Sequence, residues 1–180
     1  MVAFYIRLLN ATIVHESPVL TFLRYDEEHH RIAIIQTPGV VPKPEGIIHA
    51  GLDHLAFTYD TLPDLARVYT SLKSPIEGDA IRPIWCVNHG PTTSMYYRDP
   101  DGNKIELQVD NFESKEAADA FMIGELFAVN PIGTDFEPEA WAADVLSKAG
   151  QDGLSLDEEE DRKMKKRREI GARMEIPAGF

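Results

Sequence analysis

The sequence predicts an α+β fold in which two paired βαβββ modules are followed by C-terminal helices. The first observation is the order of elements in residues 51–110, which runs strand, helix, strand, strand, strand. The second is that residues 1–37 show the same order without a leading strand. The third is a match between DEEHHRIAI at 26–34 and DPDGNKIEL at 99–107, which indicates an internal repeat. We expect both modules to form an open, curled sheet around one pocket.

Module two has the clearer pattern. Residues 51–59 (GLDHLAFTY) are rich in strand-forming side chains. Residues 61–74 predict a helix, because Thr61 is a suitable N-cap and apolar residues recur at helical spacing. The remaining predicted elements are strands at 81–88, 92–99 and 103–110, and a Pro-Gly turn at 99–102.

Module one is predicted as a helix at 2–10 and strands at 11–17, 20–26 and 29–37. When the two copies are aligned on Asp26 and Asp99, Ala33 falls on the position of Glu106. Beyond the modules, one helix is expected at 113–130 and another at 136–150. The paired modules with their following helix should therefore fill 1–136, and a C-terminal helix with a charged tail should fill 137–180.

Charge and cysteine content narrow the classes of partner. The net charge of −12 should repel phosphate backbones and anionic membranes, so neither nucleic acid nor a membrane is an expected partner. No apolar run approaches the roughly 20 residues of a membrane span. The single cysteine, Cys86, cannot form an intrachain disulfide, which favours a reducing, cytoplasmic location.

Glu106 is the first candidate for chemistry. Strand alternation places it on the face opposite Ile105 and Leu107, and such a residue is most often on a wetted face. However, His54 opens the same module that Glu106 closes, and in a curled sheet the first and last strands can be neighbours. An imidazole and a carboxylate on adjacent strands can both ligate one metal ion. A set of two histidines and one carboxylate is typical of non-haem Fe(II) sites.

Three further candidates are His30, His89 and Tyr96, although each alone is more typical of a surface or loop residue. These residues lie in the segments HHRIAI and NHGPTTSMYYRDPDGNKIEL. Together with LDHLAF, the segments resemble the vicinal oxygen chelate superfamily of glyoxalases, bleomycin-resistance proteins and extradiol dioxygenases. The resemblance is strongest to type I extradiol dioxygenases that open catechol or biphenyl-diol rings, and it extends from residue 1 to about residue 136. It implies Fe(II)- and O₂-dependent cleavage of a small aromatic diol.

The resemblance also implies a role for each candidate residue. His54 and Glu106 match iron ligands, with Mn(II) or Zn(II) as alternative metals. His30 matches an acid–base histidine near dioxygen, His89 a histidine that hydrogen-bonds the substrate oxygen, and Tyr96 a tyrosine that holds the catecholate. In a regular strand His30 would face away from the side of Ala33, so a hairpin end or a bulge would have to redirect it.

One expected iron ligand is missing, because the family places a histidine on the leading strand that module one lacks. Three explanations of the missing ligand remain open. The natural chain starts elsewhere, the ligand comes from another part of this chain or from a second chain, or the fold has lost its metal. An exposed edge where that strand is missing favours a longer natural form or a homodimer. The alternative functions are a metal-dependent isomerase or lyase of the same superfamily and a metal-free pocket that binds small aromatics. His15, His29 and His49 follow no pattern.

Overall fold

The computed structural model describes residues 1–44, 50–74, 79–149, 173, 175–178 and 180. Contacts divide the chain into two compact units. Unit one comprises residues 1–54 and 98–104, and unit two comprises residues 55–97 and 105–180. Within the described ranges, no helix combines the length and apolarity needed to cross a bilayer.

Unit one has the predicted order of one helix and three strands. The elements are α1 (Val2–Leu9), β1 (Thr12–Glu16), β2 (Leu20–Arg24) and β3 (Ile32–Ile35). The strands form an antiparallel sheet in the order β1-β2-β3. Helix α1 is followed by Asn10, which adopts the left-handed conformation that often terminates helices.

The two faces of β2 have different surroundings. Helix α1 packs against β2, and its Leu8 is buried together with Leu23. Phe22, on the other face, lies opposite His15 of β1 and Ala33 of β3 in the strand registers. One face of the small sheet therefore forms a core, and the other carries histidines.

Unit two contains a five-stranded sheet and four helices among the described residues. The elements are β4 (His54–Thr58), α2 (Leu62–Lys73), β5 (Trp85–Asn88), β6 (Thr92–Arg98), β7 (Lys104–Asp110), α3 (Lys115–Met122), α4 (Glu125–Val129), β8 (Thr134–Asp135) and α5 (Pro138–Lys148). The strand order is β4-β7-β6-β5-β8, and β4 begins at His54, the last residue of unit one's first segment. The order confirms that the first and last strands of module two, β4 and β7, are neighbours.

Helices α2 and α5 pack against each other in unit two. The predicted N-cap of α2 is confirmed, since Thr61 Oγ1 accepts the backbone N–H of Asp64. An ion pair between Lys73 and Glu139 links the two helices. The apolar side of α2 is fully buried and contributes much of the core; its buried residues are Leu62, Leu65, Ala66, Tyr69 and Leu72.

Some predicted boundaries differ from the structure. The strand predicted at 81–88 starts only at Trp85, since Pro83 has no N–H to donate to a sheet. The helix predicted at 113–130 is two helices, α3 and α4, separated at residues 123–124 where glycine precedes α4. The strand predicted at 29–37 begins at Ile32, which leaves two histidines in the preceding turn. The charged stretch at 157–169 lies outside the described residues.

Candidate functional site

His89 and Tyr96 are in contact within unit two. His89 follows β5, and its Nε2 lies 2.9 Å from the hydroxyl of Tyr96 on β6. Its Nδ1 lies 2.5 Å from the carbonyl oxygen of Ile132. A carbonyl oxygen can only accept, so Nδ1 carries the proton and the Nε2 of a neutral ring accepts from Tyr96. The structure thus joins two of the predicted site residues through a defined tautomer.

A tight loop places the Ile132 carbonyl. The Asn130 side chain accepts the backbone N–H of Gly133 at 2.7 Å and donates to its carbonyl at 3.2 Å. Gly133 has a φ of 114°, and a Cβ there would lie 2.4 Å from the carbonyl oxygen of Asn88. Only glycine fits this position, so the loop is shaped to approach the strand end that carries His89.

Buried asparagines hold the other side of the same strand end. Asn111, 1% exposed, donates to the Asn88 side chain at 3.2 Å and to the Gly90 carbonyl at 2.8 Å. Thr93 donates to the Asn111 side chain at 2.8 Å. These bonds fix the turn that contains His89, since they satisfy the side chain of Asn111 where water does not reach it. Sequence reasoning missed Asn111, whose only signal was a polar residue directly after a strand.

Tyr96 belongs to an aromatic group on the sheet. It faces Trp85 across the β5–β6 register, and the two rings stack with centroids 5.2 Å apart. The Trp85 indole N–H donates to Asp135 at 2.8 Å. Tyr96 is only 3% exposed, so its hydroxyl orientation is set by its surroundings.

His54 lies at the start of β4 beside a carboxylate. Its Nδ1 is 2.8 Å from Asp53, whose other oxygen accepts from Lys104 at 2.6 Å. The hydrogen bond from His54, followed by that from Lys104, lowers the pKa of Asp53 below its usual range. An ionised Asp53 favours the tautomer with the proton on Nδ1, which leaves Nε2 as an electron-pair donor.

Glu106 lies in the middle of β7 and is 4% exposed, between the buried Ile105 and Leu107. The expectation of a wetted face for this strand position is therefore wrong, because Glu106 is buried on one face of β7 and Ile105 and Leu107 are buried on the other. A buried carboxylate is uncommon unless it has partners. In the described part of the chain, no group of three His, Cys, Asp or Glu side chains could hold a metal ion. The assignment of His54 and Glu106 as metal ligands stays a prediction.

His30 occupies the turn before β3 in unit one. Its ring centroid is 4.5 Å from that of Phe22, and its Nδ1 is 2.5 Å from the Nδ1 of His29. Because Phe22 pairs with Ala33, His30 lies on the face of Ala33, which a regular strand would have prevented. His15 also lies near Phe22, at 6.1 Å between rings. Sequence reasoning missed His15 and His29, since their grouping depends on strand register and turn position.

Comparison with known proteins assigns the chain to a class. The family model of the Glyoxalase/Bleomycin resistance protein/Dioxygenase superfamily matches residues 1–107. The chain belongs to this superfamily, which confirms the predicted resemblance and fold class.

Two curated relatives are dioxygenases of Rhodococcus globerulus. Biphenyl-2,3-diol 1,2-dioxygenase 2 is 44% identical over 135 residues, covering 75% of this chain and 68% of the relative. Biphenyl-2,3-diol 1,2-dioxygenase 3 is 44% identical over 142 residues, covering 79% of this chain and 73% of the relative. Among solved structures, a lactoylglutathione lyase from Agrobacterium tumefaciens is 21% identical with a TM-score of 0.43, covering 59% of this chain and 81% of that one.

Proposed function

We propose that this protein is an extradiol dioxygenase that cleaves the ring of a catechol-type aromatic with O₂ in an Fe(II)-dependent reaction. The observation that carries the proposal is the His89–Tyr96 hydrogen bond, with His89 fixed by the Ile132 carbonyl. Ring cleavage of a diol requires removal of hydroxyl protons, and this pair is arranged for proton transfer. The 44% identity to two diol dioxygenases supports the same reaction class.

The proposed path moves one proton along the pair. A substrate hydroxyl donates its proton to the Tyr96 oxygen while the Tyr96 proton passes to Nε2 of His89 over 2.9 Å. The resulting imidazolium keeps its Nδ1–H on the Ile132 carbonyl, which stabilises the added charge. Tyr96 regains a proton as the substrate loses one, so Tyr96 ends neutral and His89 charged. His30 is proposed as a second acid–base group near dioxygen.

His54 and Glu106 would hold the iron. Their imidazole and carboxylate are donor types that Fe(II) accepts in proteins, and the hydrogen bond between His54 Nδ1 and Asp53 orients the imidazole ring. When bound, Fe(II) supplies Lewis-acid activation of the diol and its proximity to O₂. A further donor would complete the set of two histidines and one carboxylate. Mn(II) and Zn(II) are the alternative metals.

The test is O₂ uptake by anaerobically purified, Fe(II)-loaded protein after addition of catechol or biphenyl-2,3-diol. We expect uptake equimolar with the diol, and a loss of about 100-fold or more in kcat/KM for Tyr96→Phe, the range of general acid–base catalysis. Tyr25→Phe is the matched control, because Tyr25 is an exposed tyrosine of unit one.

Two results would contradict the proposal. Absence of diol-dependent O₂ uptake by protein that contains about one iron per chain would remove the dioxygenase assignment. Metal-dependent conversion of a substrate without O₂ consumption would favour an isomerase or lyase of the same superfamily.

A further inference from the structure

Phe180 packs onto the aromatic group that contains Tyr96. The centroid of the Phe180 ring lies 4.8 Å from that of Tyr96 and 4.7 Å from that of Trp85, edge-on to both. Both geometries are favourable for aromatic pairs. His89 lies edge-on to the same two rings, at 5.5 Å from Trp85 and 5.9 Å from Tyr96. Phe180 thus completes a four-ring cluster with Trp85, and the cluster includes the proposed proton-transfer pair.

Arg173 anchors the end of the chain beside this cluster. Its guanidinium donates to Asp135 at 2.7 Å, and the same carboxylate oxygen accepts the Trp85 indole N–H at 2.8 Å. The backbone N–H of Arg173 donates to the Val129 carbonyl at 3.2 Å. The guanidinium also lies 5.9 Å from the Trp85 ring. One carboxylate therefore joins the C-terminal segment to the indole on which Phe180 packs.

The ring cluster leaves little room beside Tyr96. Tyr96 is 3% exposed although its hydroxyl has to meet a substrate under the proposed function. A diol bound through that hydroxyl presents its ring, or a substituent on its ring, to the neighbouring aromatic side chains. A small ring needs less of the space next to Tyr96 than a ring that carries a second aryl group, so a residue bordering this space selects by size.

We propose that Phe180, held by Arg173, is a specificity-determining residue that limits the size of the ring substituent accepted beside Tyr96. The assignment rests on the proposed function and extends it from a reaction class to a selection among diols. Removing the Phe180 ring opens space next to Tyr96 and Trp85, and bulky diols gain more from that space than catechol does.

The experiment compares kcat/KM for biphenyl-2,3-diol with kcat/KM for catechol in the Fe(II)-loaded protein. We expect Phe180→Ala to raise this ratio by about 10-fold, the low end of discrimination by a hydrophobic pocket. Phe180→Tyr retains the ring and should keep the original ratio. Arg173→Gln loosens the anchor and should raise the ratio less than Phe180→Ala does. A thermal melt of each variant separates these effects from a general loss of structure.

A second readout does not depend on turnover. Trp141→Phe leaves Trp85 as the only tryptophan, because the chain has two. In that background Phe180→Ala should increase quenching of Trp85 fluorescence by acrylamide, and Phe180→Tyr should not.

The outcomes separate this inference from the proposed function. An unchanged or lowered ratio in Phe180→Ala overturns the inference while the dioxygenase assignment stands, and so does unchanged quenching. If the unsubstituted protein consumes O₂ with neither diol, the proposed function fails, and the selection among diols fails with it.

Discussion

The two copies of the internal repeat share their turn chemistry and differ in burial. In each copy an aspartate oxygen accepts the backbone N–H two residues later, from Glu28 to Asp26 at 3.1 Å and from Asp101 to Asp99 at 3.0 Å. The other oxygen of Asp26 pairs with the exposed Arg31. Asp99, by contrast, is 4% exposed and also accepts the Tyr5 hydroxyl at 2.9 Å.

The strands that follow these turns differ in the same way. Strand β3 alternates between half-buried and exposed residues, whereas most of β7 is buried. At the equivalent position the open copy has Ala33 and the buried copy has Glu106. Both copies therefore have the same turn hydrogen bond. Glu106, the ionisable residue that replaces Ala33, lies in a buried, low-dielectric environment, which strengthens its electrostatic interactions. The repeat accounts for the similar turns of the two copies, and burial separates the environment of Glu106 from that of Ala33.

Among the substitutions that test this comparison, we expect the largest effect at Glu106, where the two copies differ in residue type. Glu106→Gln keeps the shape of the side chain and removes the charge that the proposed iron site requires. Because changes in groups that merely support a ligand weaken metal affinity 10- to 100-fold, we expect at least about a 100-fold loss of Fe(II) affinity. Anaerobic titration with Fe(II) measures this loss without turnover.

The matched control is Glu16→Gln, at an exposed carboxylate in strand β1. It should bind Fe(II) as the unsubstituted protein does. Equal Fe(II) affinity in Glu106→Gln and the unsubstituted protein would show that the buried carboxylate serves structure alone.

The next effect concerns the stability of the two turns. Asp99→Ala removes acceptors for the Tyr5 hydroxyl, two backbone N–H groups and the Asn103 amide, all near or within the buried turn. We expect the free energy of unfolding to fall by about 3 kcal/mol, since buried donors lose their partners. Urea denaturation at neutral pH measures this change.

The equivalent substitution in the open copy is the control. Asp26→Ala should leave the midpoint of unfolding within the scatter of replicate experiments, because its contacts are exposed to solvent. Equal losses in Asp26→Ala and Asp99→Ala would contradict the view that burial separates the two copies.

Local patterns were enough to predict much of the fold. The order of elements in both modules, the N-cap at Thr61 and the turn at Asp99 depend on residues close in sequence. The turn closes with a hydrogen bond from Gly102 to the Asp99 carbonyl, and Gly102 has the positive φ that was expected. The helix broken before Gly124 was predicted as continuous, because apolar spacing persists across the break while the backbone does not.

The surroundings of the candidate site could not be predicted in the same way. The Ile132 carbonyl that fixes His89 is 43 residues away from it in sequence, and a backbone acceptor leaves no residue-type signal. Phe180 reaches Tyr96 from the end of the chain. The burial of Glu106 depends on packing over both faces of β7, whereas strand alternation alone indicated an exposed face.

The smallest expected effect is a change in the pH dependence of stability, which tests whether the Cys86 thiol in the sheet of unit two is shielded from water. Burial, and to a lesser degree Glu137 and Asp135, raises the pKa of Cys86 from its ordinary value of 9.0 to about 12. A raised pKa in the folded state means that the thiol's contribution to stability is complete below pH 9 and is lost as the pH rises toward 12. We therefore expect the unsubstituted protein to lose on the order of 1 kcal/mol relative to Cys86→Val between pH 8 and pH 10. Parallel stability curves over that range would mean that water reaches the thiol, and the burial seen at β7 would not extend to β5.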